Sequence, residues 1–153
     1  WLRALGRDVR FDASLDDSEL ARVASSEGRL LLTRDRGLRQ RVGPEHCWRV
    51  AARKPAAQVR ELAGPLGLFH PGWRDRLFTR CMVCNAELRE AGYGQVSDRL
   101  PPEVRTDPRV RSAGFRACPA CRRVYWEGSH TRRMRRWLER LEVSLRDRAE
   151  SSG

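Results

Sequence analysis

Four of the five cysteines fall into two Cys-x-x-Cys pairs, Cys81-Met-Val-Cys84 and Cys118-Pro-Ala-Cys121, with 33 residues between them. A CxxC turn places two sulfurs on one ion, and two such turns complete the tetrahedral four-sulfur shell preferred by Zn²⁺. With every position taken by protein, the implied zinc is structural. Its binding supplies folding free energy to a module with little core of its own. Two redox CxxC pairs are the competing reading. Cys47, in the strand-like HCWRV, reads as a buried packing residue. His46, His70 and His130 read as hydrogen-bonding groups or nucleic-acid contacts.

A second chemistry is carried by acids. Asp35 follows the apolar run RLLLT (29–33) in LTRDR, and open α/β sheets form sites beyond the carboxyl ends of their strands. Asp16, Asp17 and Glu19 open the preceding helical segment and can approach the same edge. Carboxylates converging there would bind Mg²⁺ or Mn²⁺, which take oxygen ligands and assist phosphodiester cleavage. Arg34 and Arg36 flank Asp35 and can hold phosphate. Structural roles compete for the same residues. Asp16-x-x-Glu19 is close to a capping box, first-turn acids suit a helix dipole, and Asp35 can cap the next helix.

The elements that must position these groups alternate in type. Trp1–Gly6 reads as a last helical turn closed by glycine. A short strand is expected at Asp8–Asp12, a helix at Asp16–Gly28 and a buried parallel strand at Arg29–Thr33. A short helix follows at Arg34–Val42, a strand at His46–Val50 and a helix at Pro55–Leu66. This alternation predicts an α/β fold with a parallel layer. Past the Pro/Gly segment Phe69–Trp73 the pattern becomes short apolar pieces between the cysteine pairs, a metal-held β-rich module. A basic helix over Ser129–Arg148 closes the chain, with Met134, Trp137, Leu138, Leu141 and Leu145 on one face. The expected division is 1–72, 73–128 and 129–153.

Composition narrows the partners. The 153 residues carry 31 Lys+Arg against 20 Asp+Glu, a formal charge of +11, and Lys54 is the only lysine. Guanidinium groups bind phosphate bidentately and stack on bases, so nucleic acid is the expected partner, although an arginine-biased genome gives the same composition. No stretch approaches the roughly 20 apolar residues of a membrane span. Unpaired CxxC chemistry suits the cytoplasm or another reducing compartment.

Several strings together resemble a known family, the PIN-like ribonuclease domain at the C terminus of mut-seven-type exonucleases. They are WLRALG (1–6), DDSEL (16–20), LLTRDRGL (31–38), RCMVCN (80–85), CPAC (118–121), VYW (124–126) and GSH (128–130). The resemblance implies a PIN-like parallel sheet, a zinc ribbon with four cysteine ligands and a C-terminal helix. It further implies a metal-dependent ribonuclease acting on RNA, with catalytic Mg²⁺ or Mn²⁺ beside the structural zinc. Carried over, Asp35 matches the acid of TRDR, and Asp17 matches the helix-opening acid, with Glu19 and Asp16 beside it. His130 matches the GSH histidine, and Thr131 stands where the family usually has an aromatic residue. RNA contacts are expected from Arg34, Arg36, His130, Arg132, Arg133, Arg135 and Arg136. The family begins with an aspartate-bearing strand and this chain begins at WLRALG. That first strand is therefore expected to be missing here, with an upstream part of the same protein as a further partner. The alternative is a non-catalytic RNA-binding or protein-docking module.

Overall fold

Helix α1 (Asp17–Ser26) starts where the sequence supplies its cap. Asp16 accepts from the Ser18 and Glu19 N–H groups, and Glu19 reaches back to the Asp16 N–H, closing a capping box. It stops at Gly28, whose φ of 60° suits glycine. The Gly28 N–H bonds to Ser25 O and the Arg29 N–H to Ala24 O, a Schellman closure. These and the following features come from a computed structural model, which describes residues 1–111 and 114–151.

The chain folds as two compact units, Arg10–Leu68 and Trp1–Val9 together with Phe69–Gly153. These units cut the chain differently from the expected 1–72, 73–128 and 129–153. The first nine residues group with the cysteine-bearing segment because their backbone and Arg3 bond to it, as described below.

In the Arg10–Leu68 unit, β1 (Leu31–Thr33), α2 (Arg36–Val42) and β2 (Cys47–Arg49) form a β-α-β crossover with β1 and β2 parallel. Leu31 lies opposite Cys47 and Thr33 opposite Arg49. The strand begins two residues later than expected because Arg29 is still bonded into the α1 closure, and ladder bonding opens with the Leu31 N–H to His46 O. It is half-buried and Leu30 is exposed, so it is not the fully buried run its composition suggested. Helix α3 (Pro55–Ala63) follows, with Pro at its first position, where no N–H is required. Glu61 accepts from the Ala51 and Ala52 N–H groups, which fixes the β2–α3 loop and holds its carboxyl below the usual range. Ala24, Leu38, Cys47, Val50, Val59, Leu62 and Ala63 are buried in this unit.

The other unit holds a three-stranded antiparallel sheet in the order β3 (Arg89–Ala91), β4 (Phe115–Ala117), β5 (Val124–Trp126). Among the described residues, three single-turn α-helices lie between β3 and β4, α4 (Tyr93–Val96), α5 (Pro102–Arg105) and α6 (Pro108–Arg111), with a 3-10 turn at Ser97–Arg99. Val96, Leu100 and Phe115 form a small core with Tyr93, Val104 and Trp126 packed against it. The long α7 (Ser129–Glu150) buries Leu138 and Leu141, with Met134, Trp137 and Leu145 half-buried, as the spacing predicted. Glu142 is also buried, and Arg74 and Arg146 supply its counter-charge.

The strand expected at Asp8–Asp12 does not form. The Val9 carbonyl is taken by Arg3 Nε and Nη2, and its N–H by Asn85 Oδ1, so no ladder partner is left for Val9. Trp1–Gly6 does end as a glycine-closed turn. The Gly6 N–H bonds to Arg3 O and the Arg7 N–H to Leu2 O, with Gly6 at φ 73°. Among the described residues no helix is long and apolar enough to cross a membrane.

Candidate metal centre and acidic rim

The two CxxC segments fold into the same turn. In the first, the Asn85 N–H bonds to Cys81 O and the Cys81 N–H to Ala86 O. In the second, the Arg122 N–H bonds to Cys118 O and the Cys118 N–H to Arg123 O. Asn85 and Arg122 take the left-handed conformation at φ 68° and 62°, which turns the backbone sharply after each second cysteine. The four Sγ atoms lie within 4.8 Å of one another. Cys81 and Cys121 are 3.5 Å apart and Cys84 and Cys118 are 3.3 Å apart. A tetrahedron with metal–sulfur arms of about 2.3 Å has edges of about 3.8 Å, so this spacing fits Zn²⁺. A disulfide needs about 2.05 Å, so the sulfurs are not cross-linked, and all five cysteines are free.

The surroundings favour thiolate at Cys81 and Cys121. Burial alone would push the Cys81 thiol up, but the Cys84 and Val83 N–H groups and the Tyr125 hydroxyl outweigh it and bring it down to about 6. Cys121 is also lowered, chiefly by the Arg123 N–H. Cys84 lies at about 11: the Ala86 N–H lowers it, but the neighbouring sulfurs raise it further, as crowded thiols sharing charge must. A divalent cation among the four sulfurs removes that conflict.

Outer contacts of this centre were not visible in the cysteine spacing. The Tyr125 hydroxyl sits 3.1 Å from Cys81 Sγ and accepts from the Met82 N–H at 3.2 Å. Arg3 Nη1 donates to the Met82 and Val83 carbonyls, tying the first turn to WLRALG. Asn85 accepts from the Val9 N–H and donates to Asp8. The asparagine of RCMVCN and the arginine of WLRALG thus hold the first turn from outside. Neither could be paired from sequence, because nearly eighty residues separate them from their partners.

Phe78 is also held against its preference, at φ 55°. A bulky side chain there costs roughly 1–2 kcal/mol. The conformation is fixed by the Phe78 N–H to Ala4 O bond and by Arg116 Nη1, which donates to the Leu77 and Phe78 carbonyls.

The acids lie in the Arg10–Leu68 unit. Asp35 stands just past β1 as the N-cap of α2, and its Oδ1 accepts from the Gly37 N–H at 2.6 Å and the Leu38 N–H at 3.1 Å. Its Oδ2 takes part in neither bond. Asp17, in the first turn of α1, pairs with Arg41 of α2. Asp16 and Glu19 are engaged in the α1 capping box. Among the described residues, the four cysteines are the only group of three or more metal-type side chains placed to hold an ion. Arg34 and Arg36 are exposed beside Asp35. In the other unit, His130, Arg132, Arg133 and Arg136 are exposed on the first turns of α7, while Arg135 is half-buried over the Phe78 ring, 5.9 Å from its centroid. Thr131 donates to the Trp126 carbonyl. Cys47 is fully buried with its thiol pushed up by burial, consistent with packing.

A parallel β-α-β layer, an antiparallel sheet, four cysteines positioned to bind a metal ion and a long basic helix define an α/β domain. The profile of one family, the Mut7-C RNAse domain, matches residues 1–138 of this chain. The chain therefore belongs to the Mut7-C RNAse domain family, a ribonuclease-type domain. No curated protein and no solved structure matches it.

Proposed function

We propose that the chain is a metal-dependent ribonuclease whose acidic rim is the catalytic site and whose sulfur centre is structural. The observation that carries this reading is the position of Asp35, at the carboxyl end of β1 with Oδ2 outside its capping bonds, in a chain of this family. Asp17 and Asp35 would hold Mg²⁺ or Mn²⁺, with Glu19 and Asp16 as neighbouring carboxylates. One or two carboxylates suffice for such an ion when waters and substrate phosphate complete its shell. The bound ion would supply an activated water and stabilise the leaving oxygen.

The chain's own groups have separate tasks. Arg34 and Arg36 hold the phosphodiester beside Asp35. Arg41 keeps the Asp17 carboxylate directed toward α2 and competes with an ion for it. Arg132, Arg133, Arg135, Arg136 and His130 hold RNA on the other unit. The test is cleavage of labelled RNA with Mg²⁺ or Mn²⁺, with EDTA and with Asp35→Asn. Undiminished cleavage by that variant would discard the assignment.

A non-catalytic RNA-binding module is the second reading. It is favoured by the engagement of all four acids in caps or an ion pair. It predicts RNA affinity that falls steeply with salt, with no product formed under any metal condition.

A further inference from the structure

A groove of about 910 Å³ opens on the cysteine-bearing unit, between the sheet, the start of α7 and the turn at Trp73–Arg76. None of the four ligand cysteines and none of the rim acids lines it, although Tyr125, which contacts Cys81, forms part of its wall, as does Arg135 of the proposed RNA contacts. Three arginines belong to its lining, Arg74, Arg116 and Arg135, and three acidic residues, Asp75, Glu90 and Glu127. The two sets cancel in formal charge. Arg74 also pairs with Glu142 and Arg135 with Glu127. A bare phosphate chain would be repelled by the three carboxylates, whereas a flat polar group with both donors and acceptors suits a lining of mixed charge.

The apolar walls suit the same occupant. Phe78, Tyr125 and Trp126 line the groove, and the Arg135 guanidinium stands over the Phe78 ring. The left-handed backbone of Phe78, fixed by Ala4 and Arg116, sets where that ring stands. Aromatic and guanidinium planes bind nucleobases by stacking, with little dependence on sequence. Carboxylates accept from exocyclic amines such as that of cytosine, and guanidiniums donate to ring nitrogens and carbonyl oxygens.

Phosphate has its own place beside the groove. Thr131 and Arg135 of α7 belong to the lining, while Arg132, Arg136 and Arg140 recur at four-residue spacing on the exposed side of the same helix. Residues four apart on a helix lie on one face, so these three form a basic ladder along α7. We propose that the groove receives unpaired nucleobases of an RNA strand, while the α7 ladder holds the backbone outside it. The choice of RNA as the strand rests on the ribonuclease reading.

Binding is measured by fluorescence anisotropy on the zinc-loaded full chain carrying Asp35→Asn. Three probes of equal length are compared: a single-stranded RNA, the same strand with abasic sugars, and its duplex. Stacking contributes about 1–3 kcal/mol per base, about 5- to 150-fold, so the intact strand should bind at least about 5-fold tighter than either control. Gly114 lines the groove, and a Cβ there meets nothing within 4 Å, so Gly114→Trp is chosen as a plug that adds a bulky ring at the groove wall without a clash at Cβ. The plug should lower intact-strand affinity to the abasic level at unchanged zinc content, without altering the salt dependence. Arg132→Gln/Arg136→Gln/Arg140→Gln should instead reduce the slope of log K against log salt by about 2, at about 0.7 per lost phosphate contact, and preserve the preference for bases. Equal binding of intact and abasic strands, or wild-type binding by the zinc-loaded plug variant, overturns the proposal. Cleavage is assayed separately with Asp35 intact. Cleavage without base-dependent binding removes the groove assignment alone, and base-dependent binding without cleavage removes the nuclease reading alone.

Discussion

Replacing Asp35 by asparagine keeps an acceptor at the start of α2 and removes the charge a divalent ion requires. The cap consists of two bonds on Oδ1, at 2.6 and 3.1 Å from the Gly37 and Leu38 N–H groups. Asparagine and serine make such caps about as well as aspartate, so Asp35→Asn and Asp35→Ser should unfold within about 0.5 kcal/mol of the parent. Alanine leaves both N–H groups without their acceptor and costs about 1 kcal/mol, or about 2–4 °C in melting temperature for a chain of this size. Cleavage should sort the variants differently. An ion's stabilisation of the transition state is several kcal/mol, and about 3 kcal/mol of it is a 100-fold rate effect. All three variants should therefore lose about 100-fold or more in RNA cleavage with Mg²⁺ or Mn²⁺. Thermal melts and single-turnover cleavage on one preparation separate the two roles. Wild-type cleavage by Asp35→Asn refutes the metal-ligand role. A melt as low for asparagine as for alanine refutes the claim that an acceptor alone suffices for the cap.

Thiol titration tests the sulfur centre: zinc-loaded chain should hold one zinc and expose no fast-reacting thiol, and chelation should release four, leaving the buried Cys47 slow. Tyr125→Phe removes the hydroxyl that lowers Cys81, so that thiol holds its proton to higher pH. Zinc should then be lost at a higher pH on acidification, and its affinity should fall about 10- to 100-fold in chelator competition. Gly6→Ala places a Cβ 2.9 Å from Arg76 Cβ and Thr79 Oγ1, and closer still to Arg76 O, at φ 73°. It should cost about 2 kcal/mol or more in a denaturant melt. Arg41→Gln frees Asp17 from a pair with both side chains about half exposed. Such pairs are worth about 0.2–1 kcal/mol, so half-saturation by Mg²⁺ in the cleavage assay should fall up to about 5-fold; a rise would count against Asp17 as a ligand.

Legibility in the sequence followed the range of the interactions. The cysteine pairs were readable because each CxxC turn closes within six residues, from Cys81 to Ala86 and from Cys118 to Arg123. The caps at Asp16 and Asp35 and the glycine closures at Gly6 and Gly28 were readable for the same reason. Strand extents were not. β1 begins at Leu31 because the α1 closure holds Arg29, and Asp8–Asp12 is no strand because Arg3 and Asn85 occupy the backbone of Val9. A strand's length depends on which distant group reaches its N–H and C=O first, and composition carries no trace of that contest.

The same distinction separates the two metal chemistries. The sulfurs are aimed by backbone turns that each CxxC segment makes for itself, then braced by Arg3, Asn85 and Tyr125. The local bonds of the carboxylates are helix caps, which serve the helices and do not gather the acids around one ion. Asp35 reaches its place through a cap bond, and Asp17 is directed by Arg41 from another helix. A soft ion therefore meets a site the backbone has already shaped. A hard ion at the acidic rim has to displace Arg41 and share Asp35 with the α2 cap. If the rim is catalytic, RNA phosphate must complete the ion's shell, and productive ion binding should depend on RNA being present.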